Sequence, residues 1–381
     1  MKLLKNYKFR GKTVLVRCDF NVSFDEKGVI YDDFRIRSAL PTIQYLLSWG
    51  AKIILMTHLG DKKSSKKILP RIEELLNEKV SFIQEPNSEI EAEIKNDPFP
   101  KVYLLENLRF FDGEKNNSIE FAKKIARLGD HYVNEAFSVC HREHASVFWL
   151  PKLLPNCAGI ELVKEVNVLS KVRKDPRRPL VVIIGGAKIS SKAKVINSFL
   201  LMADHVLLGG KLANDVLVVK GMSPNRSWPE EDVVNVIKTI ELTSPKIHLP
   251  VDLIVSDSSC DDCLHIIAPG ATKKDDNIFD IGPETIRMYS DIIKDAKMII
   301  WAGPLGLFED SRFENGTREI GKAISRNFGA FRIIGGGDTG LALHKFKIRD
   351  NMDHVSTGGG AMLYFLTQGN LPGLKVLGYE D

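Results

Sequence analysis

Short apolar, β-branched runs alternate with amphipathic stretches along almost the whole chain. In the first half the runs are Thr13–Arg17, Lys52–Met56, Lys101–Leu105 and His131–Asn134. In the second half they are Val181–Ile184, His205–Leu208, Leu253–Val255, Lys297–Trp301 and Phe331–Ile334. Runs without polar alternation fit strands buried on both faces. The stretches between them, such as Ile119–Leu128, Pro283–Lys294 and Thr317–Asn327, carry helical periodicity. Strand and helix in rotation predict βαβ units and a mainly parallel sheet. One sheet holding all these strands would be large for a single domain. The 381 residues therefore predict two α/β lobes, each doubly wound and Rossmann-like. The boundary falls at a charged amphipathic helix starting near Glu161, which the prolines of Asp175-Pro-Arg-Arg-Pro179 end. That gives a first lobe over 1–160, a connecting helix and hinge over 161–178, and a second lobe over 179–368.

The formal net charge of +4 is too small to argue for nucleic acid. No apolar run approaches a membrane span, and Met1-Lys-Leu-Leu-Lys5 has no secretory hydrophobic region, so a cytoplasmic protein is expected. The odd number of scattered cysteines fits reduced thiols. Cys260-Asp-Asp-Cys263 with His265 has metal-like spacing but lacks a second ligand pair. The run Asp61-Lys-Lys-Ser-Ser-Lys-Lys67 reads as a mobile loop.

Glycine-rich turns close several strands of the second half: Gly185-Gly186, Gly209-Gly210, Trp301-Ala-Gly-Pro-Leu-Gly306, Gly335-Gly-Gly-Asp-Thr339 and Ser356-Thr-Gly-Gly-Gly360. In an open parallel sheet, ligands sit outside the carboxyl ends of the strands, where backbone N–H groups converge on phosphate. Lys188 and Lys192 follow the first of these turns one helical turn apart. Like charges there oppose each other and the helix dipole. Either an anion at the helix start resolves that conflict, or the lysines simply point into water. Gly335-x-Gly337-x-x-Gly340 matches a dinucleotide fingerprint, but Asp338 would face a pyrophosphate, and Asp353 is the sole candidate for the distal acid. Asp338 makes better sense as a Mg²⁺ ligand shared with nucleotide phosphates. Gly316-x-x-x-x-Gly321-Lys322 resembles a P-loop but has Ala323 where Ser or Thr must stand, and reads as ordinary helix.

The first half instead presents Arg17-Cys-Asp19-Phe-Asn21, Asp32-Asp-Phe-Arg35, His58-Leu-Gly60, Glu106-Asn-Leu-Arg109 and Cys140-His141-Arg142-Glu-His144. Several of these arginines fall at or just beyond strand ends. Their planar guanidinium groups suit a small polyanion, although an arginine at a strand end is also a common surface ion pair.

Together these segments resemble the phosphoglycerate kinase family nearly end to end. The carriers are Val16-Arg-Cys-Asp-Phe-Asn-Val22, Asp32-Asp-Phe-Arg-Ile36, Thr57-His-Leu-Gly60, Leu105-Glu-Asn-Leu-Arg-Phe110, Val133-Asn-Glu-Ala-Phe137 and His141-Arg-Glu-His-Ala-Ser146. Gly185-Gly-Ala-Lys188, Trp301-Ala-Gly-Pro304, Gly335-Gly-Gly-Asp338 and His354-Val-Ser-Thr-Gly-Gly-Gly-Ala361 complete the order. The resemblance implies a two-lobed, cytoplasmic monomer of glycolysis that moves a phosphoryl group between 1,3-bisphosphoglycerate and ADP with Mg²⁺, binding neither nucleic acid nor membrane. It implies a final segment, from about residue 369 to 381, that returns to the first lobe.

Asp19, Phe20, Asn21, Arg35, His58, Leu59, Gly60, Arg109 and Arg142 would then hold 3-phosphoglycerate, with His141 and His144 in the basic patch. Gly186, Ala187, Lys188, Lys192, Gly210, Pro304, Glu309, Gly336, Gly337, Asp338 and Thr339 would hold ADP or ATP, with Asp338 on the metal. Arg35, Lys192, Gly337 and Gly359 would act in the transfer itself. Because donor and acceptor would sit on separate lobes, closure must bring them together and exclude water.

The chain departs from the family's pattern at several positions. Asp61 stands where the family usually has Arg, Ala302 where it has Asn, and Lys211 replaces a third Gly. Phe111, Glu135 and Ser138 replace the common His, Asp and Gly. Two other readings remain: a family member that binds its substrates but turns over poorly, and an NAD-dependent dehydrogenase resting on the Gly335 fingerprint.

Overall fold

The structure, a computed structural model, describes the chain apart from residues 100, 187–192, 224, 258–263 and 275. It forms two compact units, Met1–Ser170 with Gln368–Asp381, and Lys171–Thr367.

In the first unit, β1 (Thr13–Arg17), β2 (Lys52–Met56), β3 (Val80–Ile83), β4 (Val102–Leu105), β5 (His131–Asn134) and β6 (Asn156–Ala158) form one parallel sheet. Its strand order is β3-β4-β2-β1-β5-β6. Every residue of β1 is buried, its apolar centre Val14–Val16 included, as a strand covered on both faces of a parallel sheet requires. Ile36, Ala39, Ile43 and Leu46 share one face of the helix Phe34–Ser48 and join Val14, Val16, Ile53 and Leu55 in the core. Register decides where the loops open: Arg17 stands beside Met56 on one side and Asn134 on the other. The segments that follow β1, β2 and β5 therefore emerge at one sheet edge.

The helix Ile160–Lys174 carries the chain from the first unit into the second. Its opening N–H groups are captured by side chains of the first unit. Ile160 N donates to Thr42 Oγ1 at 2.8 Å, and Glu161 N and Leu162 N donate to the Glu135 carboxylate at 3.0 and 3.2 Å.

The second unit contains β7 (Leu180–Ile184), β8 (His205–Leu208), β9 (Ile247–His248), β10 (Leu253–Asp257), β11 (Leu264–Ile267), β12 (Asp276–Ile281), β13 (Met298–Ala302), β14 (Phe331–Gly335) and β15 (His354–Ser356). Its parallel sheet runs β15-β14-β13-β7-β8-β9, the dinucleotide-fold order, with the direction of winding reversing between β7 and β13. Ala302 stands beside Ile184 and Gly335, and Gly335 beside Ser356, so the glycine-rich turns open at one edge. Tyr289, Ile293, Ile320 and Ile324 cover Val181, Ile299 and Trp301 from the helices Pro283–Asp295 and Asn315–Arg326.

Two sequence expectations are corrected. Leu253–Val255 belongs not to the parallel sheet but to a separate antiparallel one, ordered β11-β10-β12. Asp61 to Lys67 is not a mobile loop throughout, because Ser65–Ile68 forms a 3₁₀ turn. There the buried Glu106 carboxylate accepts from Ser64 Oγ at 2.7 Å and from Ser65 N at 2.8 Å, anchoring the tract. Among the described residues, no helix is long and apolar enough to cross a membrane.

Candidate active site

At the carboxyl edge of the first sheet, one hydrogen-bonded web joins the loops. Arg35, from the first turn of the helix Phe34–Ser48, donates through Nη1 to Asp19 Oδ2. Burial alone would raise the Asp19 carboxyl, but Arg35 and His58 outweigh it and hold the group at about 2. Asn21 bridges two loops: its N–H donates to Asp19 at 3.2 Å, and its Oδ1 accepts from Gly60 N at 2.8 Å. Phe20 N donates to Thr57 Oγ1 at 2.9 Å. The Phe20 and Leu59 side chains lie in the core, so what these residues offer a ligand is backbone.

The cations arrive in two layers. Arg17 is almost wholly buried; its Nε donates to Ser146 Oγ at 3.0 Å and its Nη2 lies 3.3 Å from His58 Nδ1. Ser146 Oγ in turn donates to Glu114 Oε1 at 2.6 Å, so a hydroxyl relays between this buried arginine and a buried carboxylate. Arg109 and Arg142 lie nearer the solvent, and partial burial, then Arg109, lowers Arg142. Burial, then Arg17, pushes His58 well below the usual histidine range. Burial, then Arg142, takes His141 and His144 down to about 4. The positive charge of this cluster therefore comes from guanidinium groups, and its histidines are neutral near pH 7.

Asn21, Gly60, Asp61, Lys63 and Arg109 line a cleft of about 660 Å³ at this edge. Asn107, to which its motif assigned no role, shapes it. Its amide donates to the carbonyls of Leu59, Gly60 and Lys63 at 3.2, 3.2 and 2.8 Å. The sequence cue to this is its place two residues before Arg109 in Glu106-Asn-Leu-Arg109. Asp61 turns toward the cluster: Oδ1 accepts from Arg109 Nη1 at 3.0 Å.

In the second unit the turns are packed backbone on backbone. Gly186 N donates to Pro304 O at 2.8 Å and Gly185 N to Ala302 O at 3.0 Å. A Cβ on Gly303 would sit 2.3 Å from Gly185 O, and φ there is +97°. Only glycine fits both demands. Thr339 Oγ1 accepts from Gly303 N at 2.8 Å, tying the turn after β13 to the helix Gly337–Lys345, which follows β14. The helices Gly337–Lys345 and Gly359–Gln368 start side by side, since a Cβ on Gly359 would lie 2.6 Å from Gly336 Cα. No side chain caps the first of them.

Gly186, Ala302, Gly336, Gly337, Asp338, Thr339, Gly359 and Tyr364 line a cavity of about 290 Å³. A neighbouring cavity of about 460 Å³ shares Gly186 and Asp338, and adds Gly210, Lys211, Pro304 and Glu309. Lys211 is engaged there, 2.6 Å from Asp215. An uncapped helix start beside glycine turns can hold an anion, and the adjoining cavity has room for a larger attached group. Asp338 stands exposed in the first helical turn, between the two cavities. No group of three or more metal-capable side chains occurs among the described residues. A single carboxylate there fits Mg²⁺, which keeps water and phosphate oxygens as its other ligands. Asp353, the distal acid that a dinucleotide site would need, instead pairs with Arg332 at 2.8 Å.

Ala187, Lys188 and Lys192 lie outside the described residues, as do Cys260 and Cys263. Cys18, Cys140 and Cys157 are buried free thiols.

Comparison with known proteins agrees with this architecture. A sequence model of the phosphoglycerate kinase family matches residues 4–369. The chain is 41% identical to the phosphoglycerate kinase of Dictyoglomus turgidum, over 98% of this chain and 97% of that one. It is 39% identical to that of Borrelia hermsii, over 99% of both. Among solved structures it resembles phosphoglycerate kinase from Pyrococcus horikoshii, with a TM-score of 0.88 and 32% identity over 99% of this chain and 98% of that one. For the Coxiella burnetii enzyme the TM-score is 0.77 and the identity 34%, with the same coverage. The chain belongs to the phosphoglycerate kinase family and is thus a phosphotransferase with a carboxyl group as acceptor.

Proposed function

We propose that this protein catalyses reversible, Mg²⁺-dependent phosphoryl transfer from 1,3-bisphosphoglycerate to ADP, giving 3-phosphoglycerate and ATP in glycolysis, as a cytoplasmic monomer. The observation that carries the reading is the pairing of two unlike anion sites in one chain. One is an arginine-lined cleft over the first sheet, and the other a glycine-lined crevice at the uncapped start of the helix Gly337–Lys345 over the second. The first suits a small phosphorylated carboxylate, and the second a nucleotide polyphosphate.

Arg35, fixed by Asp19, orients the acyl phosphate, and Arg109 and Arg142 add positive charge around it. Asn21 and Gly60 hold the glycerate end. Glu309 and Pro304 line the larger of the two adjoining cavities, where the ribose sits. Asp338 holds Mg²⁺, which when bound neutralises phosphate charge. N–H groups at Gly337 and Gly359 face the transferring group. Lys192 neutralises charge that develops in the transition state. In-line transfer demands that the two ligands meet with water excluded.

Coupled assays of ATP formation on the native protein and Lys192→Ala test this reading. The substitution should lower kcat by about 10²–10³-fold while nucleotide KM changes only modestly. Unchanged turnover in Lys192→Ala would overturn the role. A native chain that binds both ligands but forms no ATP would favour the binding-only reading, which the Asp61–Arg109 pair and Ala302 motivate.

A further inference from the structure

Asp61 divides its carboxylate between two cations. Oδ1 lies 3.0 Å from Arg109 Nη1, and Oδ2 lies 2.9 Å from Lys115 Nζ. Asp61 and Arg109 line the cleft over the first sheet together with Asn21 and Gly60; Lys115, at the end of the short helix Asp112–Lys115, does not. Asn107 holds the loop on both sides of Asp61, so the acid is presented to Arg109 by a fixed backbone.

Arg109 itself is incompletely satisfied. Its side chain is only 12% exposed, and its Nε is buried without a hydrogen-bond partner. A guanidinium group binds phosphate or carboxylate best with two parallel N–H donors, and Asp61 engages one. The carboxylate thus holds the place of an anion without filling the fork. Asp61 is also the more exposed partner, at 55%, and can leave Arg109 without losing Lys115.

We propose that Asp61 is a built-in counter-ion of Arg109 that the anionic substrate must displace, and that Lys115 retains Asp61 outside the cleft once displaced. The proposal rests on reading this cleft as the phosphoglycerate site. It makes Asp61 a determinant of affinity and charge selectivity. A phosphate dianion competes well against one carboxylate, whereas a ligand with a single negative charge does not. Lys115 is a positioning residue, acting on the substrate only through Asp61.

The test is a double-mutant cycle read by steady-state kinetics and calorimetric binding of 3-phosphoglycerate to the full-length protein. Asp61→Asn should lower KM and Kd for 3-phosphoglycerate by about three- to tenfold, with the effect on KM rather than kcat. Lys115→Met should raise both constants, and this rise should vanish in the Asp61→Asn background. Unchanged or weakened binding in Asp61→Asn would overturn the proposal. So would a Lys115→Met effect of equal size in both backgrounds, which would mean that Lys115 meets the substrate directly. If the unsubstituted protein fails to bind 3-phosphoglycerate at all, the reading of the cleft falls and this role falls with it. If it binds but ignores Asp61→Asn, the role of Asp61 alone is refuted.

Discussion

Burial sets the protonation of the histidines around the arginine cluster. His58 is held well below its usual range by burial and Arg17, and His141 and His144 titrate near 4 through burial and Arg142. All three should therefore stay neutral in the free protein from about pH 5.5 to 8. Imidazole chemical shifts followed by NMR should show no inflection for them in that window. A midpoint near 6.5 would mean that burial, and the guanidinium groups after it, do not disfavour the charged imidazole. At this scale the sequence conveyed residue types but not partnerships. Asp61 stood out as an acid where the family has a base, yet its pairing with Lys115 depends on a contact made across the fold. Arg17 lay within a quoted motif, but nothing in that motif shows that it is buried behind His58.

Glu135 shows what one carboxylate does for an element. It accepts from Thr42 Oγ1 at 2.7 Å and from the opening N–H groups of the helix Ile160–Lys174. Burial nevertheless raises it from 4.5 to about 7, against the lowering effect of those donors. A carboxyl raised on folding binds its proton more tightly in the native state. Its contribution is thus complete below about pH 4.5 and lost as pH rises through about 7. The shift corresponds to roughly 3 kcal/mol, an order-of-magnitude figure. Glu135→Gln should flatten the fall in first-unit stability between pH 5 and 8, measured by urea unfolding followed through hydrogen exchange of β5 and β6. An unaltered slope would assign that pH dependence elsewhere. Long elements were legible in the sequence because hydrophobic periodicity is a local signal: the helices expected at Ile119–Leu128 and Pro283–Lys294 form as Ile119–Ala126 and Pro283–Asp295. Short edge strands such as β9 and β15 were not, since two or three residues carry no period. β11 escaped because its residues are largely exposed, leaving no buried face to produce alternation.

At the scale of the molecule, two parallel sheets each gather the loops at their carboxyl ends, and the two gatherings differ in chemistry. One offers guanidinium groups on a web of buried polar contacts; the other offers backbone N–H groups where glycine alone fits. The alternation of strands and helices made two α/β lobes legible. The alternation alone does not place Gln368–Asp381 in the first unit, which the family resemblance implied; there Gly373 N donates to Cys140 O at 2.8 Å and the Tyr379 hydroxyl meets Ser170 at 2.9 Å. Short terminal segments find such places through contacts distant in sequence. The claim that this chain divides its ligands between two units is tested most directly by hydrogen–deuterium exchange with one ligand at a time. 3-Phosphoglycerate alone should slow exchange at Asp19–Asn21, His58–Gly60 and Asn107–Arg109 and leave the turns at Gly303 and Gly336 unaffected. Mg²⁺-ADP alone should do the reverse. Protection of the same unit by both ligands would contradict that division.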